Sequence, residues 1–311
     1  MPTEIWTVDR AGELADLYNT RIESLPYVYP VSPDTLVRAA QLRQEDVTEN
    51  ECFIVGLEGT APKAFAQIGD LILNDSEGIP EELREFYTEG GGLIRMFLAH
   101  PQYLGTAQDV LSKMEDVFRD RGQKKIWASD DSGYHFYRCA GSSPADYWPA
   151  AWFTDYQLYT LPLFSSNGYD IKQKGICCHL PDYELAEPSH DDVGIQIRLI
   201  QQDGDITRPN LNVEIVREAE VICQVLISSL ELSEPYQSQA CCIDGFGTAE
   251  HERRKGIGRF AMEVAMTEMS KLGYKHMVLD VENDNYPAQL MYLSMGFHKL
   301  SNTYNAKKRL E

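Results

Sequence analysis

Ala240-Cys241-Cys242-Ile243-Asp244-Gly245-Phe246, followed by Arg253-Arg254-Lys255-Gly256-Ile257-Gly258-Arg259, is the stretch on which the reading of this 311-residue chain turns. The first segment is apolar around one aspartate, and its residue types suit a strand. After the second, Ile257, Phe260, Ala261, Val264, Ala265 and Leu272 recur at helical spacing, with Glu263, Thr267, Glu268 and Lys271 on the other face. That pattern predicts an amphipathic helix, ended near Gly273. The unit is strand, basic glycine loop, helix.

Such a loop has a physical use. The first amides of a helix lack intrahelical partners, and the helix dipole is positive there. Gly256 and Gly258 allow close backbone approach, and Arg253, Arg254, Lys255 and Arg259 add charge, in a chain whose net charge is −20. Together these features describe a cradle for a pyrophosphate. A solvated basic turn before an ordinary helix fits the loop alone equally well.

The sequence that follows separates the two readings. Lys275-His276-Met277-Val278-Leu279-Asp280-Val281 reads as a strand, and Asn285-Tyr286-Pro287-Ala288-Gln289-Leu290-Met291-Tyr292 leads to Gly296-Phe297. The combination of Arg-x-x-Gly-x-Gly, helix, strand, Asn-x-x-Ala-x-x-Met-Tyr and Gly-Phe resembles the GCN5-related N-acetyltransferase (GNAT) family. The resemblance implies acetyl-CoA as donor, a primary amine of a small molecule as acceptor, and no metal. It also implies contacts to acetyl-CoA from Phe246, Thr248, Arg253, Arg254, Lys255, Gly256, Ile257, Gly258, Arg259, Asn285 and Tyr292. Asn285 would bond the pantetheine or a backbone turn, and Tyr292 would protonate the leaving thiolate. Glu250 stands where the family often has proline.

Family bases often lie on the strand before the loop. By period two, Cys242, Asp244 and Phe246 share one face there. Asp244 is therefore the first candidate base and Glu282 the second, against the ordinary reading of a strand-end carboxylate in water. His251 in a charged turn reads as a surface residue.

Composition bounds the rest. A hydrophobic fraction of 43% is that of a globular protein, and a pI near 4.7 argues against nucleic acid as partner. No apolar run is long enough for a membrane span, and no leader pattern opens the chain, so a cytoplasmic protein is expected. Seven cysteines without Cys-x-x-Cys point to reduced, buried thiols.

The first half repeats the organising unit in weakened form. Glu13 to Arg43 is read as helical, broken by Pro26, Pro30 and Pro33. Cys52–Leu57 and Ala64–Ile68 form a hairpin, and Asn74 to Gly92 is a surface loop with a short helix. Leu93–Leu98 is a strand, Ala107 to Phe118 a helical stripe, and Lys125–Ala128 a strand. Aligned on Pro101, the family's arginine falls on Leu104 and its glycines on Ala107 and Asp109, so this copy is not expected to bind CoA in the usual way. Either Phe136-Tyr137 with Gly141, or Leu163 to Tyr169, echoes the family's ending. The aromatics Tyr147, Trp148, Trp152, Phe153, Tyr156 and Tyr159 read as core or as an acceptor-pocket wall.

Ile176–Leu180 is expected to close the first copy, and the acidic segment Pro181 to Val193 to link the two. Gly194–Ile200, Asn212–Val216 and Val221–Ile227 open the second copy, without room for the family's N-terminal helices. The expected fold is α+β: tandem GNAT-like domains at 1–182 and 193–311, each a mostly antiparallel sheet flanked by helices. The implied activity is acetyl transfer. A non-catalytic CoA-binding or sensing module is the alternative, and a Rossmann-type nucleotide domain is disfavoured by its different glycine spacing.

Overall fold

The alternating apolar segments form twelve strands, and the helical stripes five α-helices, among the described residues of the computed structural model. Those residues are 2–22, 32–34, 36–37, 48–71, 91–129, 154–155, 158–183, 188–190, 194–201, 211–229 and 239–311. The expected loop after Asn74, the Phe136–Gly141 echo and the aromatics from Tyr147 to Phe153, with Tyr156, lie outside them. So does most of the segment between Glu23 and Arg43. The start of the expected helical segment, from Glu13, is described: a 3-10 turn, Val8–Leu14, leads into α1 (Ala15–Ile22).

The chain forms two compact units. One comprises Met1–Gly141, Pro149–Lys174 and Ser301–Glu311; the other comprises Ser142–Trp148 and Gly175–Leu300. In the first unit the strand order is β1 (Thr3–Trp6), β2 (Thr48–Glu58), β3 (Ala61–Leu71), β4 (Gly92–Ala99), β5 (Lys125–Ser129) and the main part of β12 (His298–Arg309). Neighbours run antiparallel except β4 and β5. A parallel pair needs a crossover connection, and α2 (Leu104–Asp120) supplies it. The predicted stripe of α2, from Ala107 to Phe118, is buried. The core gathers Phe53, Phe65, Phe97, Phe118 and Phe164, all fully buried. Each contributes about 1.5–3 kcal/mol by leaving water.

The second unit has the same plan. Its order is β7 (Gln196–Gln201), β8 (Leu211–Arg217), β9 (Glu220–Ser229), β10 (Ala240–Thr248), β11 (His276–Glu282) and the end of β6 (Asp170–Leu180). Only β10 and β11 are parallel, joined through α4 (Ile257–Lys271), whose Ile257, Phe260, Ala261, Val264 and Ala265 face the core. Leu272, expected on that stripe, caps the helix and is exposed. Two shorter helices, α3 (Thr160–Ser166) and α5 (Tyr286–Ser294), precede β6 and β12.

One expectation is corrected. Ile176–Leu180 does not close the first copy; its register places Ile176 opposite Val281 and Leu180 opposite Met277 of β11. The last strand of the first unit is instead β12, with Asn305 opposite Ser129 and Arg309 opposite Lys125. Alternation marks a strand and its faces, but not the edge it joins.

The units also match in detail. The β4–β5 pairing stops at Ile94 and Ala128, and the β10–β11 pairing at Ile243 and Leu279. One residue later each inner strand carries a bulge, with Arg95 as the extra residue of β4 and Asp244 that of β10.

Candidate functional site

Beyond Ile243 the strands β10 and β11 part. β10 continues beside β9 to Thr248, and β11 continues beside β6 to Glu282. A bulge bends a strand and raises its twist, so the bulge at Asp244 turns β10 away from its parallel neighbour. In the opening lies a cavity of about 910 Å³. Ile243 to Thr248 and Asp280 to Glu282 form its walls, the basic glycine loop one end, and Asn285, Pro287, Ala288, Met291 and Tyr292 another side. The bulge also interrupts the expected alternation: Cys242 lies outside the lining, whereas every residue from Ile243 to Thr248 contributes to it.

The loop is built by two left-handed residues, Arg254 at φ 63° and Gly256 at φ 84°. They turn the chain from a 3-10 turn, Glu250–Glu252, into α4. Gly258, in the first turn of α4, touches the cavity wall: a Cβ there would lie 2.9 Å from Phe246 Cζ and 3.2 Å from Thr248 Oγ1. The helix backbone therefore meets the end of β10 at van der Waals distance.

Of the residues singled out in sequence, Asp244, Phe246, Thr248, Arg253, Arg254, Gly256, Gly258, Arg259, Asn285 and Tyr292 come together around the cavity. Lys255 and Ile257 are outside its lining. The Lys255 ammonium is 3.3 Å from the Glu252 carboxylate, and Ile257 is buried in the core. Arg253 Nε donates to the Thr248 carbonyl at 3.1 Å. Arg259 holds Glu263 and Ser294, each at 2.9 Å, and so joins α4 to α5. The Asn285 side-chain oxygen accepts the Ala288 N–H at 3.3 Å, the backbone-turn role. Glu282 lines the cavity, while His251 is exposed, 3.6 Å from Glu220.

The two candidate proton carriers differ in setting. Asp244 accepts a hydrogen bond from the Ser228 hydroxyl. Burial pushes its pKa up to about 7, against a lowering by the Cys242 thiol. Tyr292 is buried between Phe246 and Phe297, with ring centroids 6.3 and 5.6 Å away. Burial raises its phenol above the usual range, assisted by Cys178 and Cys223, so it keeps its proton. Desolvation thus leaves a carboxyl able to titrate near neutrality and a phenol held neutral at one cavity.

Three contributors escaped the sequence reading. Ser228 on β9 holds Asp244. Glu252, which looks like any acid in a charged turn, is buried beneath the loop. His190, in the expected linker, has Nε2 3.2 Å from the Lys255 carbonyl and its ring 5.4 Å from that of Phe260. No local sequence signal marks any of the three.

The first unit carries the counterparts in altered form. Arg95 stands where Asp244 does and is buried in an ion pair with Glu51. Phe164 precedes Gly168-Tyr169 as Tyr292 precedes Gly296-Phe297, so the Leu163–Tyr169 segment, the one of the two expected echoes that lies within the described residues, has the spacing of the second unit's ending. Phe164 packs on Phe97 and Tyr169, at 5.3 and 4.8 Å, as Tyr292 packs on Phe246 and Phe297. Tyr159 Oη accepts the Ala99 N–H at 3.1 Å, at the end of β4.

Comparison with known proteins agrees with this geometry. Residues 186–297 match the family model described as Acetyltransferase (GNAT) family. The fold is similar to that of a tandem GNAT protein from the clavulanic acid biosynthesis pathway, with TM-score 0.68 and 12% identity over 99% of this chain and 98% of that one. It is also similar to a GCN5-related N-acetyltransferase from Sphaerobacter thermophilus, with TM-score 0.61 and 11% identity over 99% and 95% of the two chains. A GNAT-family acetyltransferase from Colwellia psychrerythraea gives TM-score 0.54 and 11% identity over 98% and 100%. No curated protein matches the sequence. Residues 186–297 are a domain of the GNAT acetyltransferase family, in a chain whose fold is that of tandem GNAT proteins.

Proposed function

We propose that this protein is an acetyl-CoA-dependent N-acetyltransferase with one donor site, between β10 and β11. The observation that carries the reading is the cavity at the strand opening, which joins a basic helix-start loop to Asp244 and Tyr292. Arg253, Arg254 and Arg259 at the loop end suit the pyrophosphate, aided by the first amides of α4. Phe246, Thr248 and Met291 line the way to the strand opening.

The chemistry asks for few groups. A neutral amine attacks the thioester carbonyl and the CoA thiolate leaves. Asp244, titrating near neutrality, is suited to take a proton from the acceptor ammonium, directly or through water. Tyr292, held protonated, is suited to return one to the thiolate. The two units divide the work: the first lacks the loop charges, the aspartate and the tyrosine hydroxyl.

The test is thiol release from acetyl-CoA in the presence of a panel of small amines, with wild type and Tyr292→Phe. Turnover that Tyr292→Phe lowers by at least tenfold, with CoA affinity kept, supports the enzyme. CoA binding without turnover on any amine supports the sensing module.

A further inference from the structure

The loop that carries the basic residues is held from below. Glu252 ends the 3-10 turn before it, and its side chain is 5% exposed. Its carboxylate pairs on one side with Arg217, the last residue of β8. On the other it pairs with Lys255 inside the loop, 3.3 Å away. The Ala249 N–H bonds the Ile222 carbonyl at 2.9 Å, tying the start of the same turn to β9. Arg217 leads directly into the β8–β9 turn, where Glu218 and Ala219 are both left-handed. A tight hairpin tip therefore grips the loop through one carboxylate.

Two features of the loop call for such a grip. Arg254 takes a left-handed φ of 63° without being glycine, a conformation that persists when its surroundings determine it. Lys255, immediately next in sequence, has its charge turned onto Glu252 and away from the cavity lining. Arg217 and Lys255 together hold the Glu252 carboxyl below the usual carboxylate range, so it stays ionised in this position.

We infer that Glu252 is a positioning residue for the anion cradle: bridged to Arg217 and Lys255, it sets the loop in the shape that receives the donor's pyrophosphate. The inference rests on the acetyl-CoA reading of the cavity. It makes a prediction opposite in sign to simple electrostatics. Removing a carboxylate near an anion site should tighten binding by Coulomb's law. Loss of preorganisation should weaken it, because the loop must then be ordered at the moment of binding.

The experiment is calorimetric titration of CoA into wild type, Glu252→Gln and Arg217→Met, at two salt concentrations, with thermal unfolding of each unliganded protein. Glu252→Gln keeps the size of the side chain and removes the charge. Both variants are expected to bind CoA about tenfold more weakly while keeping a cooperative unfolding transition. Should Arg217→Met fail to fold, Glu252→Gln decides. Affinity equal to or tighter than wild type in Glu252→Gln overturns the positioning role and leaves the cradle standing. Wild type that does not bind CoA at all overturns the cradle itself, and the positioning role with it.

Discussion

Gly256 offers the sharpest perturbation of the proposed donor site. Its φ of 84° is left-handed, and a Cβ placed on it would meet only the His190 ring, with Nε2 at 3.5 Å and Cδ2 at 3.9 Å, ordinary contacts. The folding cost of Gly256→Ala is then the backbone term alone, about 1–2 kcal/mol. For bodies of 150–250 residues, that lowers the melting temperature by roughly 2–8 °C. Gly256→Asp adds the same strain plus a negative charge at the start of α4. A carboxylate roughly 5 Å from one phosphate charge is repelled by about 1 kcal/mol in water-like surroundings and about 3 kcal/mol at an effective dielectric of 20. Acetyl-CoA affinity should therefore fall roughly fourfold to several hundredfold beyond the alanine variant. The assay is thermal unfolding of wild type and both variants with and without acetyl-CoA. At about a hundred times its dissociation constant, the ligand adds roughly 2.7 kcal/mol to wild type. Gly256→Ala should melt lower but keep part of the ligand shift, and Gly256→Asp should lose roughly 0.8–2.5 kcal/mol more of it. An aspartate variant with the full wild-type shift would refute the cradle, since a carboxylate at this place repels a pyrophosphate held on these amides.

Three further outcomes are expected. Asp244 has a folded pKa near 7, above its unfolded value, so its proton favours the folded state. That stability is fully present below the unfolded pKa and is lost as pH rises through 7. Asp244→Asn should remove this slope between pH 4 and 7 and stabilise the fold at pH 8, by at most about 4 kcal/mol; a denaturation series that keeps the slope argues against the assignment. In wild type, acetyl transfer should rise through pH 7 as the carboxylate forms. Arg254→Gly should relieve the left-handed strain and raise stability by about 1 kcal/mol, while weakening CoA binding through the lost charge; a less stable glycine variant contradicts the strain argument. Equilibrium binding should give one CoA per chain, because Arg95, Phe164 and Tyr159 occupy the first unit's corresponding positions. A stoichiometry of two would show that the first unit retains a site.

The organising unit was legible because its signals are local. Apolar spacing from Ile257 to Ala265 marks α4, the β-branched run marks β10, and Gly256 and Gly258 mark the loop between them. Tyr292 and Asn285 were reachable through the motif, and the first unit's weaker copy through its order of strand, turn, helix and strand. The ionisation of Asp244 was not legible: a strand-end carboxylate in water was the ordinary reading, and only its burial in the fold raises its pKa.

What the tertiary structure decided is non-local. Nothing in Ile176–Leu180 says that it pairs with β11, or in β12 that it pairs with β5, because strand periodicity is indifferent to partner. The bulge at Asp244 comes from the register between β9 and β10, and with it the parting of the strands that makes the cavity. Glu252, Ser228 and His190 gained their roles only when Arg217, Asp244 and Lys255 arrived beside them from distant positions in the chain. The residues and periodicities of one segment determined its form and its candidate chemistry. Long-range pairing and burial determined which of those side chains meet, and which titrate near neutrality.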